Sequence, residues 1–314
     1  MNRILITGGA GFIGTHLAES LLAAAEVVLF DNFRRNSLRY APQLREHVNL
    51  RLIEGDILDA NSVREALDGV DTVIHLAAIA GVTSYYEESL RTLQVNILGT
   101  AGLLEEATRQ KVSRFVHFST SEVFGPDALW VGEESPHGIG PVSDRRWVYA
   151  TSKLAGEHFA LRYAEKYGFS ASVVRPFNIY GPRQTGEGAI SNFCRAAIFG
   201  KPLTVYGDGT AIRAWCYVSD LVTAVHAILR TPAAAGQVFN IGNPRETETT
   251  LGLARHIARL SPGAAIQFQD VTRADVRARV PNIEKARRLL GYEPQVDLIE
   301  GLSKTLDWFR KENA

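Results

Sequence analysis

Only two cysteines, Cys194 and Cys216, occur in 314 residues, and no CxxC pair is present. A disulfide framework is excluded. The eight histidines show no HExxH motif and no paired-ligand spacing, so no metal site is expected. Charge of one sign is also missing: 34 Lys+Arg balance 34 Asp+Glu. The chain therefore carries no overall electrostatic footprint for nucleic acid or an anionic membrane, and any anionic ligand must be held by local groups. Long apolar runs are absent too. The longest, from Leu21 to Phe30, is short and broken by Glu26, which excludes a transmembrane helix. The chain enters a strand-like run directly after Met1-Asn2, with no signal-peptide layout. The expectation is a soluble cytoplasmic protein with no nucleic-acid or membrane partner.

What is present reads as globular. Hydrophobic residues make up 46% and charged residues 22%, close to ordinary averages. The length suits two domain-sized units or one large α/β domain. Short apolar runs (3–7, 27–30, 50–54, 72–76 and 114–118) alternate with helix-length stretches at 12–24, 60–67 and 89–110. Strands alternating with helices predict parallel βαβ units in a doubly wound sheet. After about residue 175 the texture changes: Pro176, Gly181, Pro182, Gly186 and Gly188 crowd one segment. The predicted division is a doubly wound sheet domain over 1–175. Residues 176–314 form a smaller lobe, interleaved with the last sheet strands.

Gly8, Gly11 and Gly14 lie between the first strand and the first helix. Such a loop lets backbone N–H groups approach a pyrophosphate, and the helix N-terminus adds a favourable dipole. Asp31 ends the second strand about 20 residues on, where a dinucleotide-binding site places a carboxylate on the ribose hydroxyls. It would repel a 2′-phosphate, favouring NAD over NADP, although Arg34 and Arg35 stand nearby.

Tyr149 and Lys153 are four residues apart and share a helix face. A Lys⁺ beside a phenol favours phenolate, so the pair can take a proton from a hydroxyl. Thr120, Ser121 and Glu122 follow the run 114–118 and therefore sit at a strand's C-terminal end, where open parallel sheets bind ligands.

Together the GxxGxxG spacing, YxxxK and the order of the motifs resemble the extended short-chain dehydrogenase/reductase family of nucleotide-sugar epimerases, dehydratases and decarboxylases. The resemblance covers nearly the whole chain. It implies a Rossmann-type fold with a substrate-binding C-terminal lobe, NAD as cofactor, a nucleotide-sugar substrate and a homodimer paired through helices 89–110 and 148–167. It assigns the cofactor to Gly8, Gly11, Phe12, Ile13, Gly14, Asp31, Asn32, Asp56, Ile57, Leu76, Ala77 and Ala78, with Tyr149 and Lys153. Thr120, Tyr149 and Lys153 carry the chemistry, Ser121 and Glu122 separate one reaction from another, and Asn96 is structural. Tyr85 faces the sugar, while Asn178, Arg213 and Arg279 contact the sugar or the diphosphate.

Members begin alike, oxidising the sugar at C4 to a ketone. The threonine-serine-glutamate at 120–122 matches UDP-glucuronate decarboxylases, but GDP-mannose dehydratases share it. The run Arg145-Arg146-Trp147-Val148-Tyr149 resembles the segment before the catalytic tyrosine in a bifunctional decarboxylase. Decarboxylation leads; 4-epimerase and 4,6-dehydratase stay open, with a non-catalytic NAD-binding regulator as the reading from another class. Trp215-Cys216 departs from the usual aromatic-threonine pair. No residue identifies itself as the clamp for a substrate carboxylate.

Overall fold

The computed structural model describes residues 2–270 and 276–312. Strands β1 (Arg3–Thr7), β2 (Glu26–Asp31), β3 (Leu50–Glu54), β4 (Thr72–His75) and β5 (Arg114–Phe118) come first. After them β6 (Asp127–Val131) leaves the sheet and β7 (Ser170–Pro176) returns to it. Short strands β8 (Ile179–Tyr180), β9 (Leu203–Tyr206), β10 (Ile212–Ala214) and β11 (Cys216–Tyr217) precede β12 (Val238–Ile241). Last are β13 (Thr247–Thr249), β14 (Ile266–Gln269) and β15 (Ala278–Pro281).

Seven strands form one parallel sheet in the order β12-β7-β5-β4-β1-β2-β3. Successive strand residues point to opposite faces, and both faces are covered. Ile4, Ile6, Val27 and Leu29 pack against Leu17, Ala18, Leu221 and Val225 on one side. Leu5, Val28 and Phe30 pack against Val63, Leu103 and Leu104 on the other. This is why the strands read as continuous apolar runs. The strand order reverses between β1 and β4, which opens a crevice at the carboxyl ends of the strands.

The C-terminal lobe is a smaller four-stranded sheet, β13-β10-β15-β6, with the pairs β14-β9 and β11-β8. The helices Ala189–Ile198, Thr250–Leu260 and Leu298–Glu312 enclose its own apolar cluster, including Phe193, Leu253, Ile257 and Leu302. The chain crosses between the layers more than once: β6 joins the lobe, whereas β12 and the helix Val218–Arg230 return to the large sheet.

One predicted helix differs. The stretch 89–110 is not continuous: Ser89–Leu93 and Thr100–Arg109 flank a π-turn at Gln94–Gly99. The turn contains Asn96, whose Oδ1 accepts from Ile79 N at 2.8 Å. Its Nδ2 donates to Ile79 O at 3.1 Å and to Ser152 Oγ at 3.0 Å. Such bulges break α-helices where a side chain has a special task.

Candidate active site

The glycine loop connects β1 to the helix Phe12–Leu21. Gly8 has φ +68°, and a Cβ there would come 2.8 Å from Ala77 N. A Cβ at Gly14 would lie 2.6 Å from Gly9 O. The helix begins at Gly11 with no side-chain cap. Its first N–H groups therefore lack intrahelical partners and open onto the crevice. Asp31 holds the loop in place: Oδ2 accepts from Ala10 N at 3.0 Å and Oδ1 from Phe33 N at 2.7 Å. Burial nonetheless raises its pKa, with those backbone donors pulling it down.

The crevice encloses about 370 Å³, and every residue expected to hold a cofactor lines it, from Gly8 to Lys153. Uncapped helix N–H groups, loop positions with no room for a Cβ and a carboxylate at the end of β2 fit a dinucleotide. Three arginines also border the crevice, yet each already has a partner. Arg34 pairs with Glu88, Arg35 donates to Ala80 O at 2.5 Å, and Arg91 pairs with Asp56 at 2.6 Å.

Tyr149 and Lys153 lie on the first turns of the helix Val148–Tyr167. Lys153 is 2% exposed, and burial lowers its pKa to about 7, against the opposing pull of Glu157. Tyr149 is shifted upward: burial and the charge of Glu122 raise it, while a hydrogen bond with Thr120 and the charge of Arg35 lower it. This corrects the expectation that Lys153 lowers the phenol.

Thr120 follows β5 and caps the 3₁₀ turn Ser121–Phe124, its Oγ1 accepting from Glu122 N at 3.2 Å. The cap and the Tyr149 contact coexist. Beneath them Glu157 joins Ser119 and accepts from Arg175 at 2.8 and 2.7 Å, a buried pair that ties the helix Val148–Tyr167 to β5 and β7.

Tyr85 is 3% exposed, and its ring stacks on Tyr149 with centroids 5.1 Å apart at 11°. Arg213 on β10 and Arg279 on β15 are register partners on neighbouring strands. Arg279 donates to Ser121 O, and Arg213 donates to Val276 O at 2.7 Å. Burial brings the Arg279 pKa down to about 10, with Glu122 opposing and Arg213 and Arg146 adding to the fall. Asn178 stands apart: with φ +44° its Nδ2 donates to Ala214 O at 2.9 Å, joining the end of β7 to β10.

Sequence reasoning missed Arg146 as a site residue. It lies in the 3₁₀ turn Arg145–Trp147, three residues before Tyr149, and pairs with Glu122. The signal was in the arginine-tryptophan run, but its direction depends on a contact 24 residues away.

A model of the NAD dependent epimerase/dehydratase family matches residues 4–242. The chain belongs to this family. UDP-N-acetyl-alpha-D-glucosaminuronate decarboxylase of Bacillus cytotoxicus is 37% identical over 320 residues, covering 98% of each chain. UDP-glucuronic acid decarboxylase 1 of Xenopus tropicalis is 38% identical over 315 residues, covering 99% of this chain and 72% of that one. Among solved structures, UDP-glucuronic acid 4-epimerase from Bacillus cereus, in complex with UDP-glucuronic acid and NAD, superposes with a TM-score of 0.91 at 32% identity, covering 99% of both chains. As a member of the epimerase/dehydratase family, this chain is an NAD-dependent enzyme that modifies a nucleotide sugar through a 4-keto intermediate. The regulator reading is set aside.

Proposed function

We propose that the chain decarboxylates a UDP-hexuronate such as UDP-glucuronate. The observation that carries this reading is the charge around Glu122, whose own charge acts on Tyr149. Arg146, Arg213 and Arg279 gather with a single carboxylate, Glu122. A diphosphate and a sugar carboxylate are the two anions such a site is built to receive.

Gly8, Gly11, Phe12, Ile13 and Gly14 would hold the pyrophosphate of NAD. Asp31 and Asn32 would take the adenosine ribose, Asp56 and Ile57 the adenine, and Leu76, Ala77 and Ala78 would line the cofactor. NAD⁺ supplies the hydride acceptor for the sugar C4 and a positive charge in the crevice. Tyr149 takes the proton from the C4 hydroxyl, with Thr120 bonded to the same oxygen. Once C4 is a ketone, the carboxylate on C5 is β to it. The C5–C6 bond then breaks, CO₂ leaves, and the electron pair moves into an enolate. Tyr149 and Thr120 hydrogen-bond the enolate oxygen. No dedicated base is needed for this step.

The likeness to a UDP-glucuronic acid 4-epimerase supports a second reading, in which the keto-sugar turns over with its carboxylate intact. Substrate labelled at C6 decides between them. Evolution of labelled CO₂, with a 44-dalton loss from the unlabelled 4-keto intermediate, supports decarboxylation. Retained label with an inverted C4 identifies an epimerase. An 18-dalton loss from a UDP- or GDP-hexose identifies a 4,6-dehydratase, with Glu122 as the C5 base. In each case Tyr149→Phe lowers turnover by ~10²–10⁴ and leaves NAD affinity nearly unchanged.

A further inference from the structure

The Arg146 guanidinium has more donors than partners. Its side chain is only 7% exposed, and Nη1 and Nη2 donate to Glu122 Oε2 and Oε1 at 2.5 and 3.1 Å. That uses two of the five N–H groups of an arginine. The other three have no hydrogen-bond partner among the described residues. No Arg146 nitrogen is sealed off without a partner, so the spare donors stay open to acceptors that a ligand brings.

The surroundings say where that ligand sits. Arg146 lies 5.4 Å from the centroid of the Tyr85 ring, which stacks on Tyr149. The Asp144 side chain fixes the Arg146 backbone, accepting from its N–H at 2.9 Å. The guanidinium thus contacts Tyr85 and Glu122, the two groups that stack on the Tyr149 phenol and act on its charge. The substituent on C5 is next to the sugar C4 that this phenol addresses.

We propose that Arg146 is the specificity-determining residue for the sugar C5 carboxylate, which shares the guanidinium with Glu122. This rests on the hexuronate reading above. Arg213 and Arg279 lie together on neighbouring strands and suit the diphosphate, which leaves Arg146 for the second anion. A hydroxymethyl group at the same place brings no charge to the pair and satisfies the fork poorly. Sharing also has a chemical use. A lone buried guanidinium would stabilise the carboxylate so strongly that loss of CO₂ would slow. With Glu122 already on the fork, recognition is kept while that penalty is reduced.

The test is calorimetric titration of UDP-glucuronate and UDP-glucose into the NAD-loaded enzyme. The native chain prefers UDP-glucuronate. Arg146→Gln weakens UDP-glucuronate by ~10–100-fold, the worth of charge-assisted hydrogen bonds, and changes UDP-glucose by less than about threefold. Arg146→Lys, which keeps the charge but not the fork, falls between. Glu122→Gln removes the competitor for the fork and tightens UDP-glucuronate by a factor of ~3 or more, again without moving UDP-glucose. That variant reports on the proposal even if the arginine variants do not fold. A preference that survives Arg146→Gln, an equal loss of both ligands, or no tightening in Glu122→Gln overturns this proposal alone. A native chain that binds the two sugars alike overturns the hexuronate reading and this proposal with it.

Discussion

Lys153 is the residue at which chemistry and stability conflict. Its folded pKa of about 7 lies well below the ordinary lysine value, and burial is the main cause. A base whose pKa falls on folding binds fewer protons in the native than in the unfolded state. Its penalty is absent above the unfolded pKa, grows as pH falls toward 7 and is complete below it. Lys153→Met removes the penalty while filling the same space. Without added nucleotide, this variant should melt several degrees above the native chain at pH 6, with the difference shrinking toward pH 10. An equal or lower melting temperature at pH 6 would show that Lys153 is offset by Glu157 and costs nothing. The same variant should be inactive, the usual exchange of activity for stability at such sites.

At the scale of elements, a preference for NAD over NADP would rest on the end of β2 and the loop after β1. Asp31 accepts two backbone N–H groups and still faces the crevice, while Arg34, Arg35 and Arg91 each have a partner other than Asp31. NAD should therefore bind at least tenfold tighter than NADP, a difference of ~1.4 kcal/mol. Equal affinities in a fluorescence titration would refute this. Much of this architecture was legible from sequence. Strands β1, β3 and β5 and the helix Val148–Tyr167 fall where residue type and punctuation place them. Gly168, with φ +80°, ends that helix as a left-handed cap. Local chemistry sets such boundaries. The π-turn at Gln94–Gly99 was not legible, because it coincides with Asn96 reaching Ile79 and Ser152. Arg146 escaped for the same reason. Its meaning lies in Glu122 and Tyr85, which are remote in sequence and arrive only through the fold. Asn178 shows the converse: its motif stood out, but its side chain also holds the Ala214 carbonyl.

The whole molecule raises the question of assembly. The helical segment 89–109 and the helix Val148–Tyr167 pack on one side of the large sheet, through Leu103, Leu104 and Ala160. Their outer faces are not fully polar. Leu90 is 69% exposed, Leu98 59% and Tyr167 48%. Phe159, Tyr163 and Tyr167 form a tilted ring ladder along the second helix, with centroids 6.3 and 5.5 Å apart. Apolar groups recurring along two adjacent helices suit an isologous contact, in which the same two helices of a second copy complete a four-helix interface. The helix that would be clamped also carries Tyr149 and Lys153, so pairing would stiffen the element that aims the phenol. The prediction is a homodimer, with about twice the monomer mass in light scattering at micromolar concentration. Leu98→Glu would bury a carboxylate in any contact made through this face, and desolvating it costs more than the contact returns. That variant should scatter as a monomer, keep its NAD affinity and lose part of its turnover. A native chain that already scatters as a monomer would show that these faces serve only to cover the sheet. The helix that carries Tyr149 would then be held within one chain, by the Glu157–Arg175 pair and its packing on the sheet.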